Sequence, residues 1–140
     1  MFGLAVSIAA GVRPLCAAEA FVVIVHPSVA GTQVRRGDLA GLFLMKVTRW
    51  GDRSPAQPVD QSGASPVRKA FSEAVLGMPV AGVLQYWQKQ MFGARPLRPP
   101  VVKATDAEVI DFVSRTTGAV GYVSIGAPLP PEVKALALID

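Results

Sequence analysis

Few residues in this chain have the chemistry for catalysis. His26 is the only histidine, and it closes an apolar run just before Pro27. With one histidine and one cysteine, Cys16, no His-based metal set and no Cys–His pair beyond these two is available. Ser28 or Ser65 could join His26 in a Ser-His-Asp arrangement, but no Gly-x-Ser-x-Gly elbow is present. Asp106, Glu108 and Asp111 form a carboxylate cluster that reads as early-helix acids complementing a dipole. There is no Gly-x-Gly-x-x-Gly and no phosphate-loop motif for nucleotides. The sequence therefore reads as non-enzymatic, with no cofactor and no metal.

The segment with chemical potential is Asp60–Arg68. Ser65 precedes Pro66, a pairing that marks a helix start, because proline at the first helical position loses no needed N–H. A helix start presents unpaired amides and partial positive charge. Amides at Val67 and Arg68, hydroxyls of Ser62 and Ser65, the flexible backbone at Gly63 and the Arg68 cation could surround an oxyanion. Asp60 would bring a carboxylate beside them. The plain alternative is that serine and arginine here serve only capping and solubility.

Elements that must position this segment follow from patterning. Phe21-Val22-Val23-Ile24-Val25 is a β-branched run fit for a buried strand of a parallel or mixed sheet. A loop with Gly31 and Gly37 follows, and Asp38 is an N-cap for a helix over Leu39–Met45. Gln57–Asp60 reads as a strand and Pro66–Leu76 as a helix stopped by Gly77. A helix starting at Pro79 carries Val83, Leu84, Trp87 and Met91 at helical spacing. Val101-Val102 reads as a brief strand, and Thr105 or Asp106 caps a helix with Val109, Ile110 and Val113 inside. Gly118–Val123 feeds a strand, and Val133–Ile139 is a final one. Strands alternating with helices give an α/β fold, a mixed sheet flanked by helices. Trp50, Phe71 and Tyr122 are expected in its core.

Composition sets the outer limits. Hydrophobic residues make up 51% and charged residues 17%, enough for a packed core in one domain. The net charge of +4 is scattered, with no basic run or aromatic-interleaved strip, so nucleic acid is not a predicted partner. Residues 1–20 read as a signal peptide: apolar and small at first, then Ala18-Glu19-Ala20 before Phe21. Residues 21–140 would be the mature domain, outside the cytoplasm, and cleavage would remove Cys16.

Two further segments carry a family resemblance. Ala40–Asp52, with Lys46-Val47-Thr48-Arg49-Trp50, resembles the short helix and Gly-Lys-Ile-Thr-x-Trp turn of the periplasmic phosphate-binding proteins of ABC transporters. Thr117-Gly118-Ala119-Val120-Gly121-Tyr122-Val123 resembles their Pro-Gly-Ala-Ile-Gly-Tyr-Val signature. Between them, Val59–Phe71 falls where that family places its Ser-Gly-Thr phosphate loop. The resemblance implies a single periplasmic-binding-protein-like lobe, the second of the family's two. It also implies a solute-binding role toward phosphate or a similar small oxyanion, linked to ABC-type uptake or sensing. A homodimer, or a membrane transporter or sensor, would be the protein partner. Alignment from Phe71 sets Ser65 on the loop's second serine and Pro66 on a glycine whose N–H binds phosphate in the family. Val59 or Asp60 stands for the family's arginine, which Arg68 would replace, and Asp60 would accept a proton from phosphate. The alternative is an interaction module with a degenerate pocket and an exposed apolar patch around Trp87, Met91 and Phe92, docking on an envelope or membrane partner.

Overall fold

A computed structural model describes residues 20–140 apart from Arg95. Residues 1–19 of the expected signal peptide, with Cys16, lie outside the described residues. Six strands form one mixed sheet. They are β1 Phe21–Val25, β2 Gln33–Arg35, β3 Gln57–Gln61, β4 Val101–Lys103, β5 Ala119–Ser124 and β6 Lys134–Ile139. Their spatial order is β2-β6-β1-β5-β3-β4. β1 is antiparallel to both β5 and β6, whereas β3 runs parallel to β5 and β4, and β2 parallel to β6.

The apolar run of β1 is buried on both faces, as its lack of alternation requires. Phe21, Val23 and Val25 face one cluster, built with α1 Arg36–Phe43, α2 Pro66–Phe71, a π-helical turn Ser72–Leu76 and α3 Val80–Met91. Ile24 faces the other, built with α4 Asp106–Arg115. The sheet is thus a filling between two helical layers, the expected α/β architecture.

The first cluster is aromatic at its centre. Phe71 and Tyr122 stack with ring centroids 3.9 Å apart and planes 4° from parallel. Phe43 and Phe21 pack on Phe71 at 4.7 and 5.4 Å. Phe71 and Tyr122 are fully buried, as expected. Trp50 is only half-buried: it packs at the cluster's margin and donates Nε1–H to the Gly118 carbonyl at 3.0 Å. Gly118 has φ +80° and lies so close to the Pro55 carbonyl that any Cβ would collide with it. At Gly121 a Cβ would sit 2.8 Å from Val59 and Val109, so the missing side chain lets α4 approach the sheet.

Several boundaries differ from expectation. α1 begins at Arg36, so Asp38 lies in its first turn and Arg35 takes the cap position. β2 was hidden in what reads as loop, since three residues with one apolar side chain carry no strand signal. The helix after Pro66 widens at Ser72–Leu76, where the Gly77 and Met78 amides both reach back to the Ser72 carbonyl. Of the apolar residues spaced along α3, Val83 and Trp87 are buried, whereas Leu84 and Met91 are exposed. Thr105 caps α4 as expected: it accepts from Glu108 N at 3.2 Å, while Glu108 accepts from Ala104 N at 3.0 Å.

Candidate functional site

β3 ends in two polar residues that the sheet buries. Asp60 is 4% exposed and Gln61 1%, and Arg68, one helical turn into α2, is 6% exposed. Groups so far from water need partners. Asp60 accepts from the Tyr122 hydroxyl and from Gln61 N at 2.9 Å, and its Oδ1 lies 3.4 Å from Arg68 Nη1. Burial pushes the Asp60 carboxyl above its ordinary range, outweighing the Arg68 charge and the hydrogen bonds that favour ionisation. Tyr122 is held firmly neutral by burial and by the adjacent carboxylate.

Gln61 is the residue that sequence reasoning missed. Its amide donates to Asp106 at 2.7 Å and to the Tyr122 carbonyl at 3.1 Å, and its Oε1 accepts from the Ser65 hydroxyl at 3.0 Å. Its carbonyl accepts from Arg68 Nη1 at 2.7 Å. One side chain therefore ties β3 to the loop, to the start of α4 and to β5. Its only signal in the sequence is a polar residue following Pro58-Val59-Asp60 in a strand.

The loop is held both by its own hydrogen bonds and by β4. Ser62 N donates to the Lys103 carbonyl at 2.9 Å, Ser65 N to the Ser62 carbonyl at 2.9 Å and Ala64 N to the Ser62 hydroxyl at 3.3 Å. Two expectations need correction. The Arg68 amide is not free, because it donates to the Ser65 carbonyl at 3.0 Å. The Arg68 side chain does not fold over the loop but runs inward beneath it, drawn to the Gln61 carbonyl and Asp60. Its Nε has no acceptor among the described residues. Ser65 makes no capping bond, its hydroxyl being given to Gln61.

A cleft of about 410 Å³ opens here, lined by Asp60, Arg68 and Gln88, by Gly63, and by apolar residues that include Leu84, Trp87, Met91 and Val102. Of the six predicted site residues, Asp60, Gly63 and Arg68 share the cleft. Ser62 and Ser65 belong to the loop beside it, and the Val67 side chain is in the core. The other reactive candidates are structural. His26 Nδ1 and the Ser28 hydroxyl are 2.9 Å apart in a tight turn, and Ser28 accepts from Gly118 N. Asp106 accepts from Ser124 N and Gln61, and Asp111 pairs with Arg115 on the surface. Among the described residues no cluster of three metal-ligating side chains occurs.

The chain superposes on solved phosphate receptors. An ABC-type phosphate transport receptor from Vibrio cholerae superposes with a TM-score of 0.65 at 21% identity, covering 85% of this chain and 46% of that one. A substrate-binding protein of a phosphate ABC transporter from Clostridium perfringens, solved with bound phosphate, gives 0.66 at 16% identity, covering 86% and 46%. The chain has the fold of one phosphate-receptor lobe. A possible phosphate-binding protein from Planctomyces limnophilus shares this receptor-lobe fold, at TM-score 0.62 and 17% identity over 86% of this chain and 42% of that one. The chain spans less than half the length of each of these receptors. No family model matches the sequence, and no curated relative does. At these identities the likeness is one of fold.

Proposed function

We propose that the chain is a non-enzymatic, extracytoplasmic solute-binding lobe that takes phosphate or a similar small oxyanion where Asp60, Gly63 and Arg68 meet. The observation behind this reading is Arg68. A guanidinium is held in the lining of an open cleft, beside a carboxyl whose burial favours its neutral form, and its Nε lacks an acceptor among the described residues. Neutral Asp60 leaves the Arg68 charge uncompensated and offers a proton donor, so the pair suits an anion better as pH falls through the Asp60 pKa. The receptor-lobe fold supports the solute class, and an ABC-type transporter or sensor is the partner that goes with it. Removal of residues 1–20 on export completes the reading. One lobe leaves the anion half-solvated, so affinity is on the order of millimolar, about −4 kcal/mol.

The test is an NMR titration of the full chain with phosphate and with sulfate. Shifts are expected at the Gly63 to Arg68 amides, and they should be lost in Arg68→Lys, which keeps a cation but not the fork. Asp60→Asn should tighten sulfate binding. A folded chain with no localised shift under either anion refutes the oxyanion reading.

A second reading, docking on an envelope or membrane partner, has its own observation. Leu84, Met91 and Val102 are exposed in the lining of the same cleft, and their chain neighbours Phe92, 88% exposed, and Val101 are exposed as well. Apolar side chains gathered around one opening are what an interaction surface requires. The titration separates the two, since only oxyanion binding moves the loop amides.

A further inference from the structure

A second opening, of about 550 Å³, shares no lining residue with the Asp60–Arg68 cleft. Its size falls within the range of roughly 300–1,000 Å³ typical of small-molecule sites. Three elements enclose it: β2, α1 and the turn from Met45 to Gly51, with β6 behind. Its apolar lining includes Leu42 and Leu136, both core side chains, with Val47 and Trp50. Its charged lining is Arg35, Arg49 and Asp38, two guanidiniums against one carboxylate. None of the three is in an ion pair among the described residues.

The turn that walls this groove is built at a cost. Met45 and Arg53 at its two ends have φ of +58° and +73°, conformations that side-chain-bearing residues avoid. The conformation is held by Lys46 and Val47 amides donating to the Gly41 carbonyl, by the Trp50–Ser54 and Arg53–Trp50 backbone bonds, and by Arg49 Nη1 donating to the Arg53 carbonyl at 2.8 Å. Trp50 is fixed from behind through Gly118. A rigid aromatic wall, an apolar base and two unpaired cations at its margin select a particular ligand chemistry. A hydrated dianion would lose solvation against Leu42, Val47 and Trp50 without recovering it. A neutral apolar molecule would leave both arginines unused.

We propose that this groove binds a small amphipathic carboxylate, an aromatic or branched apolar body with one anionic end, its body against Trp50 and Leu42 and its carboxylate toward Arg35 and Arg49. The site is independent of the oxyanion site and stands or falls without it. The probe is benzoate, with benzamide as its uncharged counterpart, titrated into the full chain and followed by NMR. Benzoate should shift the amides of Gln33 to Arg35 and Val47 to Gly51 and the indole N–H of Trp50, leaving Gly63 to Arg68 in place. Benzamide should bind about tenfold more weakly, the effect of one charge-assisted contact. The double variant Arg35→Gln, Arg49→Gln alters only exposed side chains and should reduce benzoate affinity by at least the same factor while the spectrum stays folded. Absence of localised shifts with benzoate overturns the proposal, as does equal binding of benzamide or unchanged affinity in the double variant.

Discussion

The two arginine-bearing openings of this lobe are built on opposite plans. Beside β3, Arg68 is buried and bound to groups of its own chain, Asp60 and the Gln61 carbonyl. Beside β2, Arg35 and Arg49 stay in solvent with no carboxylate partner among the described residues. A buried cation is geometrically exact but must be compensated by the fold, so it is part of stability before it is part of binding. An exposed cation costs the fold little and is available to a ligand, but it is poorly fixed unless something such as the Arg53 carbonyl holds it. The contrast separates two consequences of mutation: loss at the first opening should register as unfolding, loss at the second only as weaker binding.

The sharpest test of that contrast lies under the first opening. Phe71→Ala removes the ring stacked on Tyr122, which carries the hydroxyl that Asp60 accepts, and should cost about 3–5 kcal/mol by chemical denaturation. Arg68→Met should cost a similar amount, about 3–5 kcal/mol at neutral pH, because it leaves the Asp60 carboxyl buried and uncompensated. Its deficit relative to the parent should shrink in acid, where Asp60 is protonated. A deficit that does not change with pH would mean the ion pair is not what Arg68 contributes. Asp60→Asn acts through pH. The folded carboxyl titrates above its ordinary value of 3.8, so the folded state holds the proton longer than the unfolded one. Stability assigned to Asp60 is therefore complete at low pH and declines as pH rises from the unfolded pKa through the raised folded one. Unfolding curves measured across that window should slope for the parent and flatten for Asp60→Asn. Thr105→Ala, away from both openings, should cost about 1 kcal/mol through the lost cap. Arg35→Gln with Arg49→Gln should change stability by less than about 0.5 kcal/mol, and a larger loss would erase the distinction drawn here.

What the sequence could show follows the reach of the interactions involved. β1 and the helix start at Ser65-Pro66 were legible because each depends on local residue types. The Thr105–Glu108 cap was legible for the same reason. β2 was not, because Gln33–Arg35 is a strand only by virtue of pairing with β6. At the site, sequence reasoning named Asp60, Gly63 and Arg68, which line one cleft, but not the inward course of Arg68, since its direction is set by carbonyl and carboxylate groups that only the folded chain places beneath the loop. Gln61 was invisible for the same reason: four of its partners, on β5, α4, the loop and α2, meet only in three dimensions. Leu84 and Met91 follow helical spacing, yet no element among the described residues covers them.

The place of β1 in the sheet has a consequence in time. It is made before both of its neighbours, β5 and β6, which come from residues 119–139. Until those arrive, Phe21–Val25 is an apolar, β-branched segment with two open edges, the kind that joins other chains. No early register can satisfy it locally, and non-local pairing of this sort slows folding. A chain emerging N-terminus first would thus leave β1 unpaired until residues 119–139 had followed it. Its period of greatest exposure to aggregation would come before the core can close, which makes β1 the segment a chaperone would have most reason to cover.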